Sequence, residues 1–328
     1  MKKNNSLLVI SGYIDDDRPT GGVTMHVHRM LKSIIEPLVP NYVLSDYKKE
    51  RLATQIRKIS KADVMHIHAT NAYLKLFYVI IGRCFHTKSI ITVHGKYGMY
   101  GPLKNIVHRL ALKACDIPIL INEESFRAVH SFNCNAVLMP AFLPPIKNEE
   151  VLVPPVKEQI ETIRGKGKPV FITNASSRAY TYDGKEIYGI DFLISFFSEH
   201  QEYSLIVLDP QNQYLPIYND GLPENVAIII GKHSFCASVE LADVVVRNTP
   251  MDGDSFSVKE SLCYNKPVLA SDSVSRPSGV LLFHYNDKES FEAAIEAALG
   301  NSEKIGFDGE EAINCYIELY KKVGVIAG

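Results

Sequence analysis

Short apolar runs rich in Val and Ile alternate with helix-length segments along the whole chain of 328 residues. This alternation is typical of β-α-β units, in which parallel strands form a sheet and the connecting helices cover its faces. The pattern predicts about six strands in each half. No internal repeat of roughly 20 to 50 residues is present, which excludes solenoids and propellers. We therefore expect an α/β protein with two doubly wound, Rossmann-like domains.

The strands predicted for the first half are Leu7–Ser11, Tyr42–Leu44, Val64–Ile67, Ile90–Val93, Ile117–Ile121 and Ala136–Met139. Those predicted for the second half are Val170–Thr173, Leu205–Leu208, Ala227–Ile230, Val244–Val246, Val268–Ala270 and Val280–Phe283. Thr24 is the expected N-cap of the first helix, because a Thr hydroxyl can accept a hydrogen bond from a first-turn amide. Two closing helices are expected at Glu289–Leu299 and Glu310–Val323.

Length and composition agree with two domains, because 46% of the residues are apolar and about 150 residues make an average domain. A stretch rich in Pro and Gly and without a clear period separates the halves. We expect a first domain at 1–145, a linker at 146–168, a second domain at 169–310 and a closing C-terminal helix at 311–328. Ligands of doubly wound sheets bind beyond the carboxyl ends of the strands, so we expect the chemistry in the cleft between the two facing domains.

The two halves carry opposite charge. Residues 1–150 contain 20 Lys and Arg against 12 Asp and Glu, a balance of +8, whereas the remainder contains 15 against 25, a balance of −10. The basic half indicates an anionic partner such as a phosphate-bearing acceptor or a membrane surface, with chance surface composition as the alternative. The net charge of −2 and the ordinary overall composition do not favour a nucleic-acid partner.

The cysteine and hydropathy patterns favour a reducing, aqueous compartment. The six cysteines form no C-x-x-C pair, which argues against a zinc ribbon and a disulfide scaffold. The apolar run at 7–10 is too short for a signal peptide, and the longest run, at 76–81, is far below the roughly 20 residues that span a bilayer. We expect a cytoplasmic protein, with peripheral binding to the inner face of the plasma membrane left open.

Gly21 and Gly22 follow a polar loop and directly precede the first predicted helix. A glycine pair at this place lets backbone N–H groups approach a phosphate at the positive end of the helix dipole, although a simple turn would have the same sequence. The glycine patterns of nicotinamide-binding and P-loop proteins are both absent.

His94 follows the strand predicted at 90–93, so its imidazole is expected to face the substrate, where it could hydrogen-bond a hydroxyl near the reacting carbon. His66 and His68 lie on one face of the preceding predicted strand, a spacing that a metal ion could use. No Cys, Asp or Glu completes a clear ligand set, and histidines at strand ends are commonly only hydrogen-bonded. We predict that no metal binds there.

A polar loop leads from Asp252 into a predicted helix that contains Glu260. Four residues stand where the free amides of that helix would meet a diphosphate: Asp254, Ser255, Phe256 and Ser257. Asp252 and Glu260 are too far apart to form an acid-base pair by default, but they could hold two ends of an extended ligand. The alternative is an N-cap Asp followed by a solvated helix Glu.

Together these motifs resemble the retaining glycosyltransferases of family 4, which have the GT-B fold. The similarity covers nearly the whole chain and includes the Gly-Gly pair, the H-x-H strand, the strand ending in His-Gly and the two acidic residues eight positions apart. The strand Lys266-Pro267-Val268-Leu269-Ala270-Ser271-Asp272 belongs to the same pattern. The variant D-G-D-S at 252–255 with R-P-x-G at 276–279 is similar to a branch associated with bacterial surface polysaccharide synthesis.

The resemblance implies that the second domain binds a nucleotide-sugar and that the first faces the acceptor. By this resemblance the glycine pair approaches the donor diphosphate, His94 contacts the donor sugar and Glu260 binds the ribose. Asp252 would meet sugar hydroxyls, and Arg178 would be the first of two cations on the diphosphate.

The sequence departs from the family pattern at two of these positions. Asp252 replaces a longer Glu. Tyr188 stands where the family has the second diphosphate cation, a Lys just before Gly-x-Asp. Lys185 is a candidate substitute for that Lys, and absence of the second cation is the other reading.

The resemblance implies a metal-independent glycosyltransferase with no cofactor. It would move a sugar from a nucleoside-diphosphate sugar, with UDP favoured over GDP, to a glycan or lipid-diphosphate-linked acceptor of capsule or O-antigen assembly. The anomeric configuration would be retained by front-side attack. Although residues 252–254 spell D-x-D, they lie in a loop that the family uses for backbone and sugar contacts, so we predict no metal there.

Two other functions stay open. A nucleotide-sugar 2-epimerase on the same fold would need further acid-base carboxylates, which the sequence does not identify. A non-catalytic nucleotide-binding subunit is supported only by Tyr188 and Asp252.

Basic residues of the first half are the expected acceptor-side surface. Six are predicted on one helix: Lys48, Lys49, Arg51, Arg57, Lys58 and Lys61. Four more flank the segment 97–100: Lys96, Lys104, Arg109 and Lys113. By the resemblance they would face an anionic lipid surface or a lipid-diphosphate acceptor, and a solvated face is the alternative.

Overall fold

The computed structural model describes residues 5–12, 14, 22–146, 150–218, 221–252, 255–300, 307 and 309–327. These residues form two compact units. The first consists of Met1–Leu143 and Gly309–Gly328, and the second of Pro144–Asp308.

The described elements of the first unit are β1 (Leu7–Ser11), α1 (Gly22–Met30), α2 (Glu36–Leu38), β2 (Tyr42–Asp46), α3 (Leu52–Ile59), β3 (Val64–His68), α4 (Ala72–Cys84), β4 (Lys88–Val93), α5 (Pro102–Ala114), β5 (Ile117–Leu120), α6 (Glu123–His130) and β6 (Val137–Leu138). A π-helical turn, Leu31–Ile35, joins α1 to α2. The last helix of the chain, Glu310–Val323, also belongs to this unit.

The described elements of the second unit are α7 (Pro154–Arg164), β7 (Val170–Asn174), α8 (Ile190–Glu199), β8 (Ser204–Asp209), β9 (Val226–Ile230), α9 (Phe235–Glu240), β10 (Val244–Arg247), α10 (Phe256–Cys263), β11 (Val268–Ser271), β12 (Leu281–Phe283) and α11 (Lys288–Gly300). A short 3-10 helix, Leu215–Ile217, follows β8. The helix Glu310–Val323 is therefore α12.

The first unit is built on a six-stranded sheet with the order β2-β1-β3-β4-β5-β6, and all its strand pairs are parallel. Side chains alternate between the two faces of a strand, and both faces are covered by helices, so neighbouring residues enter different cores. Leu7 and Val9 pack with residues of α1 and α12. Leu8 and Ile10 pack on the opposite face with residues of α4 and α5.

The second unit repeats this construction with the order β12-β11-β10-β7-β8-β9, again with parallel pairs. Phe171 faces a core shared with α8 and α11. Val170 and Ile172 face the other core, which includes residues of α7, α9 and α10. The carboxyl ends of β7, β10 and β11 consequently lie side by side at one edge of the sheet.

All twelve predicted strands are present, with ends that differ by at most two residues. The closing helices are also confirmed, at Lys288–Gly300 and Glu310–Val323. The predicted N-cap was wrong, because α1 already includes Gly22 and Thr24 lies inside it.

The predicted linker at 146–168 is corrected by the structure, because it contains helix α7. Val156 and Ile160 of this helix are buried in the second unit. Pro154 and Pro155 are the first two residues of the helix, where proline is favoured because the N–H group that it lacks would have no partner in the helix.

The predicted closing helix at 311–328 packs as part of the first unit. Tyr316 and Tyr320 of α12 are completely buried in a core that contains Leu7 and Val9. The first unit therefore draws on both ends of the sequence, which a continuous boundary at 145 does not capture.

Gly189 is the residue before α8 and has φ = 54°, in the left-handed region. A Cβ atom here would lie 2.1 Å from Asn248 Nδ2, and that amide is fixed by hydrogen bonds to Gly189 O and Asn286 Oδ1. We predict that Gly189→Ala lowers the free energy of unfolding by about 2–4 kcal/mol, the sum of backbone strain and overpacking. Urea unfolding followed by circular dichroism measures it.

Gly184→Ala is the matched control in the same unit. Gly184 also has positive φ, 80°, but its Cβ would meet no atom within 4 Å. It should show the backbone cost alone, about 1 kcal/mol. Equal losses in the two variants would contradict the contact with Asn248.

Candidate functional site

The carboxyl edge of the second sheet collects polar residues from three adjacent strands. β10 is hydrogen-bonded between β7 and β11, so their last residues, Asn174, Arg247 and Ser271, end at the same edge. Arg178 lies in the segment after β7, and Asp252 lies in the segment after β10. This is the edge where open parallel sheets bind ligands.

Arg178 is fixed by the first turn of α8. Its Nη2 donates to Asp191 Oδ2 at 2.7 Å, and its guanidinium lies 5.5 Å and 6.0 Å from the ring centres of Tyr180 and Tyr214. The hydrogen bond with Asp191 raises the pKa of the guanidinium further above its ordinary value, so it stays charged. Arg178, the predicted first cation of the donor site, is therefore a charged group with a fixed position at this edge of the sheet.

Asp252 binds two arginines. Its Oδ2 and Oδ1 accept from Nε and Nη2 of Arg247 at 3.0 Å and 3.1 Å, and Oδ2 also accepts from Nη1 of Arg276 at 2.9 Å. Burial raises the pKa of this carboxyl, but the hydrogen bonds and positive charges of the two arginines outweigh it and hold the pKa below its usual range. Asp252 is thus a charged anchor for two guanidiniums, a partnership that the sequence prediction of sugar contact did not include.

Tyr188 and Lys185 occupy different surroundings. The Tyr188 hydroxyl is hydrogen-bonded to the Ser176 hydroxyl in the segment after β7. The Arg247 guanidinium lies 5.0 Å from the centre of the Tyr188 ring. Lys185 is exposed and pairs with Asp183 at 3.0 Å in a hairpin turn.

The N-terminus of α10 also lies in this unit. Ser255 is its N-cap, without a side-chain cap hydrogen bond, and its hydroxyl lies 3.2 Å from that of Ser257. Phe256 begins the helix, and Glu260 is 7% exposed inside it. The alternative interpretation of Glu260, a helix residue exposed to solvent, is therefore excluded. Asp254 lies outside the described residues.

Four histidines cluster in the first unit. His68 Nδ1 lies 3.0 Å from His94 Nε2, and His66 hydrogen-bonds Tyr320 and Thr92 at 2.7 Å and 2.8 Å. His26 of α1 bonds the carbonyl oxygen of Ala141 at 2.8 Å through Nδ1. The sequence had indicated His66, His68 and His94, but His26 had no recognisable pattern because α1 approaches the sheet only in the fold.

Burial keeps these imidazoles neutral. It lowers the pKa of His26 to about 4 and that of His66 to about 3, with smaller contributions from neighbouring charges. Burial also lowers the pKa of His68 and His94 well below the ordinary value, assisted by the other histidines. His94 can therefore exchange hydrogen bonds with a ligand, but it does not act as a cation near neutral pH.

Three of these residues could hold a metal ion. Ligand nitrogens of His26, His68 and His94 all lie within 4.8 Å of one another, and neutral imidazoles are good ligands for Zn²⁺. The 3.0 Å contact joins His68 Nδ1 to His94 Nε2, while His68 Nε2 is buried without a hydrogen-bond partner among the described residues. The absence of a metal at this cluster stays a prediction.

Gly22 is the exposed first residue of α1, which agrees with a position at a helix N-terminus. Gly21 lies outside the described residues.

The predicted basic helix at 48–61 is corrected by the structure. α3 spans only Leu52–Ile59, so Lys48, Lys49 and Arg51 precede it and Lys61 follows it. The Lys58 ammonium donates hydrogen bonds to Glu50 Oε1 and to the carbonyl oxygen of Leu44, each at 2.6 Å. This segment is not a continuous basic face.

Helix α5 presents a different surface. Leu103, Ile106 and Leu110 recur at intervals of three and four residues and are 68%, 58% and 50% exposed. Three basic residues of the same helix flank them: Lys104, Arg109 and Lys113. No helix in the described ranges has the length and apolar character to cross a bilayer.

Solved structures share this architecture. HepE of Anabaena in complex with UDP-glucose has a TM-score of 0.66 at 12% identity, over 97% of this chain and 98% of that chain. A glycosyltransferase from Rickettsia africae has a TM-score of 0.61 at 12% identity, over 98% and 99%. UDP-GlcNAc 2-epimerase from Methanocaldococcus jannaschii has a TM-score of 0.57 at 13% identity, over 96% and 99%.

No protein-family model and no curated protein sequence matches the chain. The structural similarities establish the fold. With two six-stranded parallel sheets covered by helices, the chain has the GT-B fold, which confirms the predicted α/β class.

The neutral histidines predict a loss of stability in acid. Below a pH of about 6.5 the unfolded chain binds protons at His26 and His66 that the folded chain does not bind until pH values of about 4 and 3. The free energy of unfolding should therefore fall as pH falls from about 6.5 towards 4, by about 1.4 kcal/mol per pH unit for each imidazole. Urea unfolding at pH 7, 6 and 5 measures the slope.

His66→Asn should reduce this slope by the share of one imidazole. His130→Gln, at an exposed position in the same unit, is the control and should leave it unchanged. Equal stability at pH 7 and pH 5 would show that the buried histidines are not linked to folding.

Proposed function

We propose that the chain is a retaining glycosyltransferase that moves a sugar from a nucleoside-diphosphate sugar to a glycan or lipid-linked acceptor in bacterial surface polysaccharide assembly. The observation that carries the proposal is the set of fixed guanidiniums at the carboxyl edge of the second sheet. HepE, a structure of similar fold, is bound to UDP-glucose, which favours a UDP-sugar as the donor.

The chemistry requires stabilisation of the leaving diphosphate. As the bond from the anomeric carbon to the β-phosphate oxygen breaks, negative charge grows on that phosphate. Arg178 and the first-turn amides of α10 are preorganised donors for this charge, which is why we propose catalysis without a metal ion. The Gly22 amide is proposed to assist, by resemblance to family 4.

The acceptor hydroxyl attacks on the face from which the diphosphate leaves. Its oxygen forms the new bond to the anomeric carbon, and its proton passes to the departing phosphate oxygen, so configuration is retained. His94 is proposed to hydrogen-bond the donor sugar with a neutral imidazole. Glu260 is proposed to accept from the ribose hydroxyls.

A second candidate function is epimerisation of the same class of donor, which the similarity in fold to UDP-GlcNAc 2-epimerase favours. That reaction consumes no acceptor and releases no lasting nucleoside diphosphate. A non-catalytic nucleotide-binding subunit, by contrast, would bind UDP without changing any donor.

We predict that the purified protein releases UDP or GDP from one member of a panel of UDP- and GDP-sugars without added metal, and faster with a crude lipid extract. Released nucleotide is measured by coupled assay. Glu260→Ala and His94→Ala should each lower turnover at least tenfold, the cost of about one lost hydrogen bond to the transition state.

Lys157→Ala, on the exposed face of α7, is the control variant and should keep full turnover. An epimerised donor without acceptor would establish the epimerase instead. Binding of UDP or GDP without consumption of any donor would favour the non-catalytic subunit.

The acceptor side is proposed to lie against an anionic membrane surface through α5. A face with apolar residues flanked by cations can bury its side chains among lipid headgroups while the cations meet lipid phosphates. We predict that the double variant Leu103→Ser, Leu110→Ser binds vesicles containing about one third phosphatidylglycerol at least tenfold more weakly, because about 0.8 kcal/mol is lost for each CH₂ group withdrawn. Vesicle cosedimentation measures the binding.

Leu282→Ser is the matched control, since Leu282 is 55% exposed in the second unit. It should bind vesicles like the wild type. Failure of the wild type to bind anionic vesicles, or equal loss in both variants, would contradict a role for α5.

A further inference from the structure

The expected donor site needs two cations, but the structure does not favour Lys185 as the second. Its ammonium is engaged by Asp183 at 3.0 Å, and its side chain is 56% exposed. The backbone around it is fixed as a hairpin turn by hydrogen bonds between Thr181 and Lys185 and by the bridge between Tyr180 and Glu186. Arg178, by contrast, lies in the segment directly after β7.

Arg247 lies at the carboxyl edge of the second sheet, the edge at which the expected donor site needs a second cation. It is the last residue of β10, which pairs directly with β7. Its guanidinium lies 5.0 Å from the centre of the Tyr188 ring, and the Tyr188 hydroxyl is tied to Ser176, two residues before Arg178. Tyr188 stands in place of the expected lysine. Its ring contacts the Arg247 guanidinium, and its hydroxyl binds the segment that carries Arg178.

The charge balance around Arg247 favours an anionic ligand. Among the described residues that form its ion pairs, one carboxylate, Asp252, serves two guanidiniums, and the side chains of Arg247 and Arg276 are only 12% and 3% exposed. Nη2 of Arg276 is buried without a hydrogen-bond partner in the described part of the chain. Excess positive charge with little solvent is costly unless an anion approaches it.

The geometry of Arg247 is suited to a phosphate. Asp252 accepts two of its five N–H groups, and the guanidinium carbon lies 5.0 Å from the centre of the Tyr188 ring, within the range of a cation–π contact. A guanidinium so fixed can present its remaining edge to phosphate oxygens, which it binds in pairs better than an ammonium does.

We propose that Arg247 is the second cation on the donor diphosphate, in place of a lysine at position 188. Arg276 acts as a positioning residue, since it shares Asp252 with Arg247. This inference rests on the proposed function, because it presumes a nucleoside-diphosphate donor. It also gives Asp252 a defined task, that of orienting the cation that meets the phosphate.

Calorimetric titration of the full chain with UDP and GDP, and with uridine and guanosine, tests the proposal. Arg247→Gln should weaken binding of the preferred nucleoside diphosphate by about 10- to 100-fold, the range of one hydrogen bond to a charged group. Binding of the nucleoside, which has no phosphate, should change less than twofold. Arg164→Gln, an exposed position at the end of α7, is the matched control and should bind like the wild type.

The outcomes separate the two claims. A wild type that binds neither UDP nor GDP overturns the proposed function and this inference with it. A wild type that binds, together with an unaffected Arg247→Gln, overturns the inference alone. Equal weakening of diphosphate and nucleoside would make Arg247 a purely structural partner of Asp252, which also overturns it.

Arg247→Lys provides the test should Arg247→Gln fail to fold, as judged by circular dichroism. It keeps the charge beside Asp252 but loses the planar guanidinium, and we expect an intermediate loss of diphosphate affinity. Lys185→Ala tests the competing assignment. Weaker diphosphate binding in Lys185→Ala, with Arg247→Lys equal to wild type, would assign the second cation to Lys185.

Discussion

Parallel strand pairing is the constraint on which the polar chemistry of this chain depends. Each crossover returns the chain to the same end of the sheet, so the carboxyl ends of neighbouring strands must share one edge. In the second unit Arg178 follows β7, Arg247 ends β10 and Arg276 follows β11, so residues far apart in sequence lie along one edge of the sheet. In the first unit the same constraint brings His68 of β3 to within hydrogen-bond distance of His94, which follows β4.

The buried carboxylate of Asp252 holds two guanidiniums at the carboxyl edge of the second sheet. The two guanidiniums carry one more positive charge than this carboxylate balances, and a phosphate ligand would offset that charge. Tyr188 replaces the lysine of the family pattern, but its ring contacts the Arg247 guanidinium, so a cation still lies beside this position. The histidines of the first unit, by contrast, are kept neutral by burial, which lowers their pKa values.

The predictability of these features follows from the range of the interactions that create them. The twelve strands were readable because fully buried parallel strands are continuous apolar runs, such as Leu7–Ser11. Helix α7 was missed because its two initial prolines resemble a break. The attachment of α12 to the first unit depends on Tyr316 and Tyr320, which pack in one core with residues of strands far away in the sequence, such as Leu7 and Val9 of β1. Arg247 had a single local signal, a charged residue ending an apolar strand, and only its contacts with Tyr188 and Asp252 give that signal meaning.

A crystal structure of the protein with UDP and, where needed, with GDP would locate the diphosphate relative to Arg178 and Arg247. We predict the diphosphate at the carboxyl edge of the second sheet, with oxygens within about 3.2 Å of guanidinium nitrogens of both Arg178 and Arg247. A diphosphate that contacts only one of the two arginines or neither of them, or a nucleotide bound to another part of the chain, would contradict this prediction.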